Sequence, residues 1–117
     1  MCYAVQGAPD TSKVYRACNA GTYSSGDAHA DGVAYVLADM ETVTPNHVNY
    51  DYYTMSPCPT AAIYGHATCN SALFDSDCGI CVSYAKSQIL ADCSNCLGVN
   101  MVLRDCSMRY DSYSFTD

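Results

Sequence analysis

Five of the six cysteines in the second half of the chain, Cys69, Cys78, Cys81, Cys93 and Cys106, follow one another so closely that they constrain the fold before any helix or strand is assigned. With Cys2, Cys18, Cys58 and Cys96 they make nine cysteines in 117 residues, and there is no tryptophan. A reducing compartment would leave such a set as free thiols, whereas an oxidising one turns it into cross-links, so the composition points to a disulfide-stapled, secreted domain. Cys18, Cys69, Cys78, Cys81, Cys93 and Cys106 can form three bridges, but six cysteines can be joined in many ways and spacing alone does not choose among them. Cys2, Cys58 and Cys96 are left over. The odd total means that at least one cysteine is unpaired, bonds another chain, or belongs to a segment removed from the mature protein.

Length and composition fit one domain over residues 8–117 with a core of its own. No apolar run approaches the ~18 residues of a membrane span. Five Lys and Arg stand against twelve Asp and Glu, a formal net charge of −7. Such a surface repels phosphate backbones and anionic lipid, which argues against nucleic-acid binding and against cationic attack on membranes. Residues 1–7 lack the basic start and apolar stretch of a signal peptide. Val5-Gln6-Gly7 before Ala8 reads as the tail end of a signal sequence or as expression-derived residues, and cleavage there would also discard Cys2, leaving an even number.

Along the chain, Lys13 to Cys18 suits a first strand, broken by Asn19-Ala20-Gly21. Ser24 to Asp27 supplies turn and cap chemistry, and Val33, Val36, Leu37, Met40 and Val43 then recur at helical spacing, predicting an amphipathic helix from Ala28 to Thr42, ended before Pro45. Val48 to Met55, rich in β-branched and tyrosine residues and closed by Pro57 and Pro59, predicts a strand, and Ala61 to Thr68 another. Cys78 to Cys93 predicts a second helix whose inner face collects Cys78, Cys81, Val82, Ala85, Ile89 and Cys93. Asn100 to Asp111 and Ser112 to Phe115 read as two closing strands joined by a tight turn. Strands in runs with two helices between them give an α+β fold, an antiparallel sheet covered on one face.

Several motifs invite chemistry and mostly favour structure. Cys78-x2-Cys81 and Cys93-x2-Cys96 could supply four thiolates to zinc, but the spacer reads as continuous helix and would hold the pairs turns apart. Cys78-x2-Cys81 lacks the strand-helix-strand context of a redox dithiol. His29, His47 and His66 fall in three different elements and no serine lies in a nucleophile elbow, so no hydrolase site emerges. Asp75 and Asp77 precede the second helix and suit its positive dipole end. The tyrosines at 50, 52, 53, 110 and 113 could line a sugar- or protein-binding surface, with half or more filling the core.

With these phrases in view, the sequence resembles the plant cysteine-rich family called domain of unknown function 26, or the stress-antifungal domain, and most closely its single-domain, ginkbilobin-like members. Beyond the cysteines, the resemblance rests on Ala17-Cys18-Asn19, Leu37-Ala38-Asp39, Tyr50-Asp51-Tyr52, Pro59-Thr60-Ala61, Tyr64-Gly65, Ala67-Thr68-Cys69, Ser76-Asp77-Cys78 and Asp105-Cys106. It implies two helices packed on a five-stranded antiparallel sheet, with bridges Cys18–Cys93, Cys69–Cys78 and Cys81–Cys106. Cys58 and Cys96 are then a candidate fourth pair.

Ginkbilobin-like members are secreted antifungal proteins that hold mannose with an asparagine, an arginine and a glutamate. The corresponding positions here are Asn19, Asn100 and Asp111, of which only the first is identical. Asn100 replaces a five-donor guanidinium by an amide, and Asp111 shortens the acidic arm, so the clamp should be weaker or retargeted. Arg104 lies four residues along from Asn100, roughly 13 Å away on a strand, too far to substitute. The resemblance therefore implies a secreted, apoplastic defence protein that binds mannose-containing glycans of fungal cell walls, with no catalytic site, cofactor or metal. The alternative is an extracellular protein-interaction module with a decayed sugar site, dimerising through an odd cysteine or a tyrosine-rich face.

Overall fold

The computed structural model describes residues 8–19, 21–58 and 60–117, so the expectations for residues 1–7, including Cys2, lie outside the described residues. Strands β1 (Lys13–Cys18), β2 (Asp51–Met55), β3 (Tyr64–Cys69), β4 (Val99–Leu103) and β5 (Cys106–Asp111) form one sheet in the order β1-β4-β5-β3-β2. Every neighbouring pair is antiparallel. Helices α1 (Ala28–Val43) and α2 (Asp75–Asp92) cover one face. The expected α+β architecture of two helices on a five-stranded antiparallel sheet is thus the observed one.

Helix α1 begins where Asp27 accepts a hydrogen bond from the His29 N–H at 3.0 Å, satisfying one of the donors a helix start leaves unpaired. Pro45, which cannot continue an α-helix, stands in the short 3-10 turn Thr44–Asn46 that follows. Gly32, Val33, Val36, Leu37 and Met40 form its buried face. In α2, Asp75 and Asp77 occupy the first turn, where the exposed N–H groups favour negative charge. Its buried residues are Asp77, Cys78, Cys81, Val82, Ala85 and Ile89. These two faces meet Ala67, Cys69, Val99, Met101, Leu103, Cys106, Met108 and Tyr110 from the sheet to make the core.

The bridges Cys18–Cys93, Cys69–Cys78 and Cys81–Cys106 are all present. Each has one cysteine on α2 or at its C-cap and the other on a strand, so α2 is fastened to β1, β3 and β5. Cys58 and Cys96 do not form the candidate fourth pair: among the described residues neither is bonded to another cysteine. Cys58 lies in the β2–β3 connection beside Asp31, Gly32 and Tyr35 of α1, whereas Cys96 follows α2 and bridges to Thr22, so different parts of the fold hold them. Helix α1 is held by polar contacts instead. Asp39 accepts from the Tyr52 and Thr54 hydroxyls of β2, each at 2.6 Å, and Glu41 accepts from Ser83 at 2.7 Å and Lys86 at 3.0 Å on α2.

Several strand boundaries differ from the sequence reading. Asn100 to Asp111 is not one strand but two, β4 and β5, turning at Arg104-Asp105. The turn is pinned because the Arg104 and Asp105 N–H groups donate to the carbonyls of Ser12 and Asp10. Ser112–Phe115 forms no strand and instead lies over the sheet's open face. Strand β2 starts at Asp51 rather than Val48, because Asn49 and Tyr50 take left-handed φ angles of 58° and 49°.

Two outcomes are expected from this arrangement. The Cys18–Cys93 bridge spans 75 residues, and its removal as a Cys18→Ala/Cys93→Ala double variant should cost on the order of 4 kcal/mol in urea unfolding. The hydrogen bonds of Ser83 and then Lys86 hold the Glu41 carboxyl below its usual range. A depressed folded-state pKa adds stability above the unfolded value, lost as pH falls through the folded one. Unfolding stability should accordingly fall with acidification below about pH 4, and less steeply in Glu41→Gln than in the parent.

Candidate functional site

Alternation along each strand sends one set of side chains to the helices and the other to the open face. In β5, Met108 and Tyr110 are buried while Ser107, Arg109 and Asp111 take the other side. In β4, Val99, Met101 and Leu103 are buried, leaving Asn100 and Val102 outward. A register shift between Lys13 and Tyr15 changes the facing of β1. Lys13 and Arg16 reach Asp92 of α2 at 2.8 and 3.3 Å, whereas Tyr15 and Ala17 line a cleft on the open face.

That cleft, of about 250 Å³, is where the structure brings Asn19, Asn100 and Asp111 together. Asn19 stands just beyond the Cys18 bridge, and its N–H donates to the Gly98 carbonyl at 2.9 Å. The Asn19 amide Nδ2 donates to Asp111 Oδ1 at 2.9 Å. Asp111, only 4% exposed, also accepts from Arg109 Nε and Nη2 at 3.3 and 3.2 Å on its other oxygen. Both carboxylate oxygens are therefore engaged and the buried charge is paired, as a buried carboxylate requires. Asn100 lies directly opposite Arg109 in the β4–β5 register. Tyr15 and Tyr113 flank the cleft.

Arg109 is the cleft residue that sequence reasoning missed. It places a guanidinium on the neighbouring strand, directly opposite Asn100. The pattern Cys106-Met108-Tyr110 was a signal for it, since an inward-facing run at even positions sets Arg109 beside Asp111. Reading residues 100–111 as a single strand hid the pairing of Arg109 with Asn100. Arg104 stands in the β4–β5 turn and is not among the residues that line the cleft.

Around the cleft the C-terminal residues form a strap. Phe115 sits on the Arg109 guanidinium, 3.9 Å from centre to ring centroid. Asp117 accepts from Arg109 Nη1 and lies 2.8 Å from His66 Nδ1. Burial pushes the Asp117 carboxyl up, but His66 and Arg109 outweigh it and hold the group below its usual range. His66, 8% exposed, has Asp51 on its other ring nitrogen and the Tyr53 ring stacked on it at 3.8 Å and 7°. It is thus a satisfied strand histidine. Cys78, Cys81 and Cys93 are each bonded to another cysteine, which removes them from thiolate or dithiol chemistry.

One residue is indispensable to this geometry. A Cβ on Gly98 would overlap both Asn19 Nδ2 and Asp111 Oδ1. Gly98→Ala should therefore break the Asn19–Asp111 bond and cost about 1–3 kcal/mol in chemical unfolding, with displaced Asn19 side-chain amide resonances.

A five-stranded antiparallel sheet with two helices packed on one face, one of them disulfide-bonded to it, and a polar cleft on the other defines a small cysteine-rich α+β domain. The chain matches the family described as Salt stress response/antifungal over residues 17–113, and it belongs to that family. It is 37% identical over 112 residues to an antifungal ginkbilobin-like protein of Picea abies, covering 92% of this chain and 100% of that one. It is 35% identical to antifungal protein ginkbilobin-2 of Ginkgo biloba, over 92% of this chain and 81% of that one. Among solved structures it is similar to the tandem DUF26 ectodomain of the Arabidopsis thaliana cysteine-rich receptor-like protein PDLP5. The TM-score there is 0.81 at 27% identity, covering 89% of this chain and 51% of that one, so this chain spans about half of the tandem.

Proposed function

We propose that this chain is a secreted, non-catalytic plant defence protein that binds mannose-type glycans of fungal cell walls in the cleft between β1, β4 and β5. The observation that carries the proposal is the convergence of Asn19, Asn100, Arg109 and Asp111 on that cleft. A sugar diol needs donors and acceptors fixed in one plane. The Asn19–Asp111–Arg109 chain of hydrogen bonds holds these groups before any ligand arrives, which lowers the ordering cost of binding. The Asn100 amide adds both a donor and an acceptor. At about 250 Å³ the cleft falls below the ~300–1,000 Å³ of drug-sized sites and suits a single sugar ring. The antifungal relatives from Picea and Ginkgo support the defence role, and the three disulfides support an oxidising, extracellular setting. Among the described residues no helix is long and apolar enough to cross a membrane.

The second reading, a protein-interaction module with a decayed sugar site, is favoured by the open edge of β1, where Val14 and Tyr15 are exposed. A concentration-dependent dimer in sedimentation, with no sugar binding, would be its signature.

Calorimetric titration of the oxidised protein with mannose and mannan should show saturable binding. Asn19→Ala and Arg109→Gln should each weaken it by about tenfold or more, the effect of losing one hydrogen bond to a charged group. Absence of binding in the parent protein would reject the sugar-site reading.

A further inference from the structure

The open face holds a second cavity, of about 340 Å³, lined by Tyr53, Met55, Tyr64, Ser114 and Phe115 together with the backbone of β2 and β3. Among the described residues no charged side chain lines it, although the chain as a whole carries −7. Its place relative to the polar cleft follows from strand register. Asn100 pairs with Arg109, Arg109 with His66, and His66 with Tyr53, so one transverse row of outward side chains runs from the cleft to this cavity. The centres of the two sites are about two strand spacings apart, roughly 10 Å. Arg109, which lines the cleft, and Phe115, which lines the cavity, are in contact between them, and Asp111 of the cleft lies directly opposite Tyr64 of the cavity in the β3–β5 register.

We propose that this cavity is a second sugar subsite, so that the protein takes a neutral oligosaccharide across the sheet rather than a lone monosaccharide; the inference rests on the sugar-binding reading of the cleft. Aromatic walls suit the apolar C–H face of a pyranose, and the Tyr64 and Ser114 hydroxyls can serve its equatorial groups. Tyr53 is a rigid platform. Its ring lies flat on His66, and its hydroxyl accepts from the Asp117 N–H at 2.9 Å. The uncharged lining selects neutral sugars, because a charged ring would lose hydration there without gaining an ionic partner. Continuity with the cleft commits the site to the next residues of the same glycan.

The test is calorimetric titration of the full oxidised chain with mannose and, separately, with α-linked mannotriose, using the parent protein, Tyr64→Ala and Met55→Ala. The parent should bind the trisaccharide about tenfold more tightly than mannose, the order expected for one added stacking contact with its burial. Both variants should lose most of that gain while keeping the parent's affinity for mannose. Met55 is 53% exposed, so its truncation leaves the fold intact even where Tyr64→Ala destabilises it. A parent that binds the trisaccharide no more tightly than mannose, or a Met55→Ala variant that keeps the full gain, would overturn the second subsite and leave the cleft standing. No binding of either sugar would overturn both.

Discussion

The attachment of α2 to the sheet is the constraint on which the remainder of this structure depends. Three disulfides tie one helix to β1, β3 and β5, so the helix cannot slide or rotate without breaking covalent bonds. In a domain of this size such links complement a core that is modest in extent. The bridge from Cys93 matters most to the cleft, because its other end, Cys18, is the residue before Asn19. The edge strand β1 is held against β4 by its ladder and against α2 by that bridge, and Lys13 and Arg16 add ion pairs to Asp92. The position of Asn19 is thereby set from the helix side of the sheet, while its side chain works on the other.

The division of labour between the two faces has a simple physical origin. A strand's side chains alternate, so burying one set beneath the helices commits the other set to solvent. On the buried side the residues are aliphatic, methionine, cysteine and Tyr110, whose hydroxyl finds the Cys96 carbonyl at 2.6 Å. On the open side the same strands carry Asn100, Arg109, Asp111, His66, Tyr64 and Tyr53, and the C-terminal residues lie across them. Burial of Asp111 is tolerated there because Arg109 and Asn19 satisfy both of its oxygens.

Much of this was legible in the residues. The helical spacing of Val33, Val36, Leu37 and Met40 marks the buried stripe of α1, and Cys78, Cys81, Val82, Ala85 and Ile89 mark that of α2. Asn19, Asn100 and Asp111, taken from the family resemblance, do line one cleft. The β4–β5 turn was not legible, since Arg104-Asp105 carries neither glycine nor proline and is held by hydrogen bonds to residues 10 and 12, far away in sequence. Arg109 was lost with it. The candidate Cys58–Cys96 pair failed for a similar reason: leftover cysteines carry no information about which elements will lie side by side.

By itself, then, the sequence determined the fold class, the helices with their inward faces, and the oxidised character of the domain, because periodicity and cysteine density are local properties that each segment carries with it. Tertiary structure alone decided which outward residues meet. Asn19 and Asp111 are 92 positions apart, and their hydrogen bond exists only because β1 and β5 flank β4 and Gly98 leaves room between them. Register, and not composition, put a guanidinium opposite Asn100, since a shift of one residue in an antiparallel pair would have turned Arg109 into the core.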